Sequence, residues 1–120
     1  MSDNNDELPI ITFNSLYNIL REEEKTPTII KLPDNFYKAA KLFLEEKKKE
    51  QTGNATIQHK NVYANSLKLF EKLQKIRAKK IAILAIDSEH NLQTYKNELT
   101  SDEELFFKAV MQQFTQHYIK

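Results

Sequence analysis

The sequence has no cysteine, so it can build neither a disulfide framework nor a thiolate metal site. Its single glycine, Gly53, excludes the glycine-rich phosphate loops of P-loop and dinucleotide-binding proteins. Scarce glycine also argues against tight hairpins, whose turns need residues at positive φ. There is no apolar run of about 20 residues, so no membrane span is expected. The opening MSDNNDELP is acidic and polar and lacks the basic and apolar regions of a secretory signal, which places the expected chain inside the cell. The three histidines, His59, His90 and His117, show no i, i+4 pair that would set two ligands on one helix face. Neither a metal site nor a cofactor is expected.

What the chain does contain, many Lys, Glu, Leu and Ala, favours an all-α domain. With 120 residues it is most simply one domain, able to bury a core without staples. The net charge is only +1, but its distribution is uneven. Lys68, Lys72, Lys75, Arg77, Lys79 and Lys80 stand against Glu71 alone. Asp87, Glu89, Glu98, Asp102, Glu103 and Glu104 then stand against Lys96 alone.

Residues 1–11 read as a flexible leader, and residues 12–120 as the helical domain. Thr12 is a candidate N-cap, its hydroxyl able to accept from a first-turn N–H. After it Phe13, Leu16, Tyr17 and Leu20 recur at i, i+3, i+4, i+7, the stripe of an amphipathic helix. That helix should fade near Glu24, ahead of Pro27. Pro33 is positioned to preset the first turn of a second helix, with Asp34 at its positive end. Phe36, Tyr37, Ala40, Phe43 and Leu44 form its apolar side, the EEKKKEQ run is a solvated end, and Gly53 is a stop.

From Thr56 to Ile86 the pattern predicts one long helix. Tyr63, Leu67, Phe70, Arg77, Ile81 and Leu84 follow one face, and Val62, Leu69, Leu73 and Ile76 an adjacent one. Its last turns are apolar nearly all round, which predicts a buried end; a strand over Ile81–Ile86 is the minority alternative. DSEHNLQTYKNEL is a polar connector. Thr100 and Glu103 have the S/T-x-x-E spacing of a capping box. Phe107, Val110, Met111, Phe114 and Tyr118 then line a final helix. The expected fold is a four-helix bundle with a long third helix.

No catalytic constellation emerges. Asp87, Ser88, Glu89 and His90 contain the residue types of a hydrolase triad, but neighbours in a polar loop do not easily adopt that triangle. The pairs Glu45–Glu46 and Glu103–Glu104 sit at helix ends, where nothing drives their acidities apart. The basic series is more informative. Lys68, Lys72, Lys75 and Lys79 are three or four apart and share one side of the helix, a stripe that could track phosphates or serve as a solvated outer face. No recognition-helix pattern or stacking platform accompanies it. Arg77 and Lys80 point nearer the apolar side and would need carboxylate partners if covered.

Taken in order, these features resemble a known family. LYNILRE from Leu16, LPDNFY from Leu32, Arg77 with Lys79-Lys80-Ile81 and Leu84-Ala85, and Leu99-Thr100 with Glu103-Glu104 are similar to the helical A domain of GINS proteins. The likeness spans Thr12 to Tyr118 and is nearest to the archaeal subunits in which this domain comes first. No single motif is specific; the order and spacing carry it. The resemblance implies a non-catalytic subunit of a homo- or hetero-tetramer that scaffolds and stimulates the MCM replicative helicase. Other GINS-type chains, MCM and a RecJ-like accessory protein are the implied partners. DNA contact would be weak, and the place of work the replication fork, in archaeal cytoplasm or a eukaryotic nucleus. Such proteins usually carry a small β-rich B domain after the A domain, and this chain is read as lacking it. Leu16, Leu20, Leu67, Phe70, Leu73, Ile76, Ile81 and Leu84 are the expected subunit-interface residues. Lys68, Lys72, Lys75, Arg77, Lys79 and Lys80 are the candidate nucleic-acid or partner contacts, and a small helical DNA-binding module using them is the rival reading.

Overall fold

A computed structural model describes residues 7–52, 57–87 and 95–118. Those residues form an all-α fold of four helices: α1 (Phe13–Lys25), α2 (Phe36–Glu50), α3 (Ile57–Asp87) and α4 (Ser101–Tyr118). Among the described residues there is no strand, and Ile81–Ile86 belong to α3, so the strand alternative is excluded. No helix among them is long and apolar enough to cross a membrane.

The helix boundaries follow local chemistry. At the start of α1, Ser15 N donates to Thr12 Oγ1 at 3.0 Å and Thr12 N donates to Ser15 Oγ at 2.7 Å, a reciprocal cap with serine in the place usually held by glutamate. At α4 the pair is Thr100 and Glu103: Glu103 N donates to Thr100 Oγ1 at 3.2 Å, and Thr100 N to Glu103 Oε1 at 3.0 Å. The start of α2 corrects one expectation. Pro33 does not open the helix; Phe36 does, three residues later, because Asn35 sits at φ 61° in the left-handed region and interrupts helical geometry. Asparagine tolerates that region better than other non-glycine residues. Its side chain is held as well, Nδ2 donating to the Glu7 carbonyl at 3.0 Å. The expected Gly53 stop lies outside the described residues; α2 ends in a turn in which Gln51 N and Thr52 N donate to Lys48 O and Lys49 O.

Contacts divide the chain into two compact units. The first takes in the described residues up to Glu22 and those from Pro33 to Leu73. Its interior holds Leu16 and Leu20 of α1, Phe36, Ala39, Ala40 and Leu44 of α2, and Phe70 and Leu73 of α3. Tyr37 bridges helices there, its ring edge-on to Phe70 at 6.0 Å. Ser66 is fully buried in this unit, and its hydroxyl has no hydrogen-bond partner.

The second unit takes in Glu23–Leu32 and the chain from Gln74 onward. Its core gathers Ile29 from the connector after α1, Ile81 and Ala85 of α3, Leu99 before α4, and Phe107 of α4. Leu84, Tyr95, Val110 and Met111 pack against them. The end of α3 is therefore covered on one side only. Ile83 is 57% exposed and Ile86 40%, which corrects the expectation of a helix end enclosed all round. Tyr118, placed on the apolar face of α4 by its spacing, is 78% exposed.

Candidate functional site

The second unit is organised around a buried charge cluster. Arg77 on α3 is 0% exposed, and each of its five N–H groups meets an acceptor. Nε and Nη2 grip Glu103 of α4 side-on at 2.7 and 2.8 Å. Nη1 donates to Glu23 Oε1 at 2.6 Å and to the Ile30 carbonyl at 2.8 Å, and Nη2 donates to the Glu98 carbonyl at 3.1 Å. One α3 turn on, Lys80 Nζ donates to Glu23 Oε2 at 2.7 Å and to the carbonyls of Glu23 and Thr26. Two cations thus meet two carboxylates, and the cluster is neutral as a whole. An unpaired charge at this depth would cost several kcal/mol, roughly what a complete set of partners offsets.

The cluster fixes geometry. It ties the last turn of α1, the 26–32 connector, the turn before α4 and the first turn of α4 to one α3 side chain. Glu103 is held by the cap and by Arg77 together, so the rotation of α4 about its own axis is set. That rotation turns Phe107 inward, fully buried, and leaves Leu105 and Phe106 outward at 64% and 42% exposure.

The end of α3 and α4 both expose large apolar side chains. Five large exposed apolar side chains of the second unit gather on these two segments: Ile83, Ile86, Leu105, Phe106 and Tyr118. A shallow groove of about 710 Å³ is lined by Ile86, Phe106, Ala109, Gln113, Phe114 and Tyr118 among others, and Ile83 and Leu105 are not part of its lining. Phe114 and Tyr118 stack at 5.2 Å, and His117 on the same turn bonds Gln113 at 3.2 Å. Large contiguous apolar patches on soluble proteins mark interaction surfaces.

The structure redistributes the residues expected to act. Leu16, Leu20, Phe70, Leu73 and Ile81 are core side chains, at 1%, 3%, 5%, 0% and 1% exposure, and Leu67, Ile76 and Leu84 are half-buried. These eight stripe positions pack within the chain's own units, and Leu67, Ile76 and Leu84 keep part of their surface exposed. The basic series splits. Arg77 and Lys80 are engaged by carboxylates, as their position near the apolar side required, and are not available to phosphates. Lys68, Lys72, Lys75 and Lys79 are exposed. Of the hydrolase-like group Asp87–His90, only Asp87 lies among the described residues, and it is exposed.

Glu23 escaped sequence reasoning because it sits in the charge run EEEK. The signal was nevertheless present: Leu16, Leu20 and Glu23 are spaced i, i+4, i+7, so the glutamate continues the buried stripe. Leu105 and Phe106 were missed because α4 has apolar residues on more than one side, and a wheel alone does not say which side the chain itself covers.

Compared with protein-family models, curated proteins and solved structures, the chain matches none.

Proposed function

We propose that the chain is a non-catalytic helical subunit of GINS type, which works by assembling with sister subunits to scaffold and stimulate the MCM replicative helicase. The observation that carries assembly is the exposure of Ile83 and Ile86 at the end of α3 and of Leu105, Phe106 and Tyr118 on α4. Water contact with those side chains is relieved when a partner covers them, at roughly 25 cal/mol per Å² of apolar area removed from solvent. The buried acidic groups Glu23 and Glu103 are committed to Arg77 and Lys80, which is a structural use of carboxylates and not a catalytic one. The choice of GINS rests on the order of the sequence features from Leu16-Tyr17 to Glu103-Glu104, including Arg77 and Glu103, which the fold joins.

Affinity capture of the tagged chain from its own cell tests this reading. A second GINS-type chain and MCM are expected to travel with it through about 0.5 M salt, because apolar contacts are not screened as surface ion pairs are. Recovery of the chain alone at every salt concentration overturns the proposal.

The exposure of Lys68, Lys72, Lys75 and Lys79 favours a second reading, a DNA-binding module. It requires affinity that falls steeply with log salt, and loss of binding in Lys75→Glu/Lys79→Glu. Arg77 and Lys80 contribute nothing to it, since their donors are used inside the fold.

A further inference from the structure

We infer that the exposed side of α3 from Lys75 to Ile86, with the groove that Ile86 lines, is a docking strip for a segment of another protein: an amphipathic helix with carboxylates at one end and apolar side chains at the other. The inference rests on the reading of the chain as an assembly subunit and names the surface and the chemistry of its occupant.

Lys75, Lys79, Ile83 and Ile86 follow one another at i, i+4, i+8, i+11, which places them within about 80° of each other around α3. All four are exposed, and all belong to the second unit. The strip is about 16 Å long, and its two halves differ. The first half presents two ammonium groups, neither of which takes part in an ion pair among the described residues. The second half presents Ile83 and Ile86 to solvent. Ile86 also lines the groove, so the apolar half continues onto Phe106, Ala109 and Phe114 of α4. That lining holds no ammonium or carboxylate group; Gln113 and His117 are among its polar members, and the exposed Lys108 is not part of it.

The placement of charge selects the occupant. A phosphate backbone would satisfy Lys75 and Lys79, together with Lys68 and Lys72 earlier on the same side of α3, but would leave Ile83 and Ile86 in water. A helix built to lie on a bilayer carries its cations and its apolar side chains on opposite faces. Here both lie on one face and succeed each other along the axis. A partner helix with carboxylates one turn apart, then apolar side chains two turns further on, covers both halves at once. Direction is selected too, because the exposed Asp87 just beyond Ile86 repels an acidic end placed there.

A display library of random peptides about 16 residues long, enough to lie along the strip as a helix, is panned against the full chain. Enriched peptides are expected to carry acidic residues a turn apart at one end and apolar residues at the other. Fluorescence anisotropy of the labelled consensus peptide then measures binding. Lys75→Glu/Lys79→Glu and Ile83→Asp should each raise its dissociation constant at least about tenfold, with the helical circular dichroism and melting profile of the parent. The same peptide with lysines in place of its acids should not bind. Selection without such a consensus overturns the inference, and so does a consensus peptide whose affinity is unchanged in both variants. An oligonucleotide that binds in place of the peptide, and does so equally well in Ile83→Asp, also overturns it and marks a phosphate-binding stripe. Binding to phosphatidylserine vesicles in place of the peptide overturns it in favour of a membrane surface. If the peptide binds as expected but the chain captures neither a GINS-type chain nor MCM, the strip stands and that function falls. If capture succeeds and no such peptide is selected, the function stands and the strip falls.

Discussion

The Arg77 guanidinium and the Glu103 carboxylate meet edge to edge, Nε to Oε2 at 2.7 Å and Nη2 to Oε1 at 2.8 Å, although 26 residues separate them in the chain. Both are buried, and Glu23 completes the arginine's set from 54 residues away. Such a cluster contributes little net stability when intact, because desolvation offsets most of the attraction. Its importance lies in register: only one placement of α4 satisfies every donor.

Breaking the cluster from the arginine side should therefore be severe. Arg77→Met leaves Glu103 and part of Glu23 buried without their cation, and a loss of about 3–5 kcal/mol is expected. Arg77→Lys should fall between, since a point-like ammonium cannot grip a carboxylate side-on. Urea denaturation followed by circular dichroism reads both. Adding Glu103→Gln to Arg77→Met should restore part of the loss, and strict additivity of the two changes would argue against direct coupling.

Glu103 has two tasks, and they can be separated. Thr100→Ala removes only the hydroxyl of the cap and should lower stability by about 1 kcal/mol. Glu103→Ala removes the reciprocal cap bond and the arginine's partner and should be worse by at least about 2 kcal/mol. Equal effects of the two variants would show that the cap alone matters.

Most of the helical layout was legible in the sequence, for identifiable reasons. The i, i+3, i+4 stripes and the Thr100–Glu103 spacing are local signals, and the structure realises them. Arg77 and Lys80 were marked as cations in need of carboxylates because their spacing put them beside apolar residues. Which carboxylates they find was not legible, since Glu23 lies 54 residues from Arg77 and is flanked by other glutamates. The start of α2 was misjudged because Pro33 suits a first turn as well as it suits the turn that Asn35 closes. The stripe residues expected at a subunit interface pack within the chain's own units. The strongest apolar stripe marks what the chain buries for itself, and Ile83, Ile86, Leu105 and Phe106 are among the large apolar side chains it leaves exposed.

Asn35 holds a left-handed conformation that most residues reach only at a cost of about 1–2 kcal/mol. Asn35→Ala should lose about that much, together with the bond to the Glu7 carbonyl. Asn35→Gly should lose less, because glycine adopts the conformation freely and gives up only the side-chain bond. Thermal melts of the two variants give the order, and a glycine variant less stable than the alanine one would refute the backbone argument.

Ser66 offers a change in the opposite direction. Its hydroxyl is buried without a partner, and a buried unpaired polar group costs about 1–3 kcal/mol. Ser66→Ala removes the hydroxyl and places the best helix former in α3. A gain of about 1 kcal/mol is expected in chemical denaturation. A loss of that size would mean that the hydroxyl is satisfied in solution.

Ile81 and Ile83 are two residues apart on α3 and separate folding from assembly. Ile81 is 1% exposed and belongs to the cluster with Phe107 and Leu99, whereas Ile83 is 57% exposed. Ile81→Ala opens a cavity in the second unit and should lower stability by about 2–5 kcal/mol. Ile83→Ala removes no internal contact of comparable worth and should shift stability by less than about 0.5 kcal/mol. The ranking reverses when association is measured. Ile83→Asp keeps the fold but puts a charge on the edge of the apolar surface, and it should weaken capture of partner chains well beyond its effect on melting. If Ile83→Asp assembles as the parent does while Leu105→Asp and Phe106→Asp do not, the surface is confined to α4 and the end of α3 is only its rim. If all three assemble normally, this face is not where partners bind.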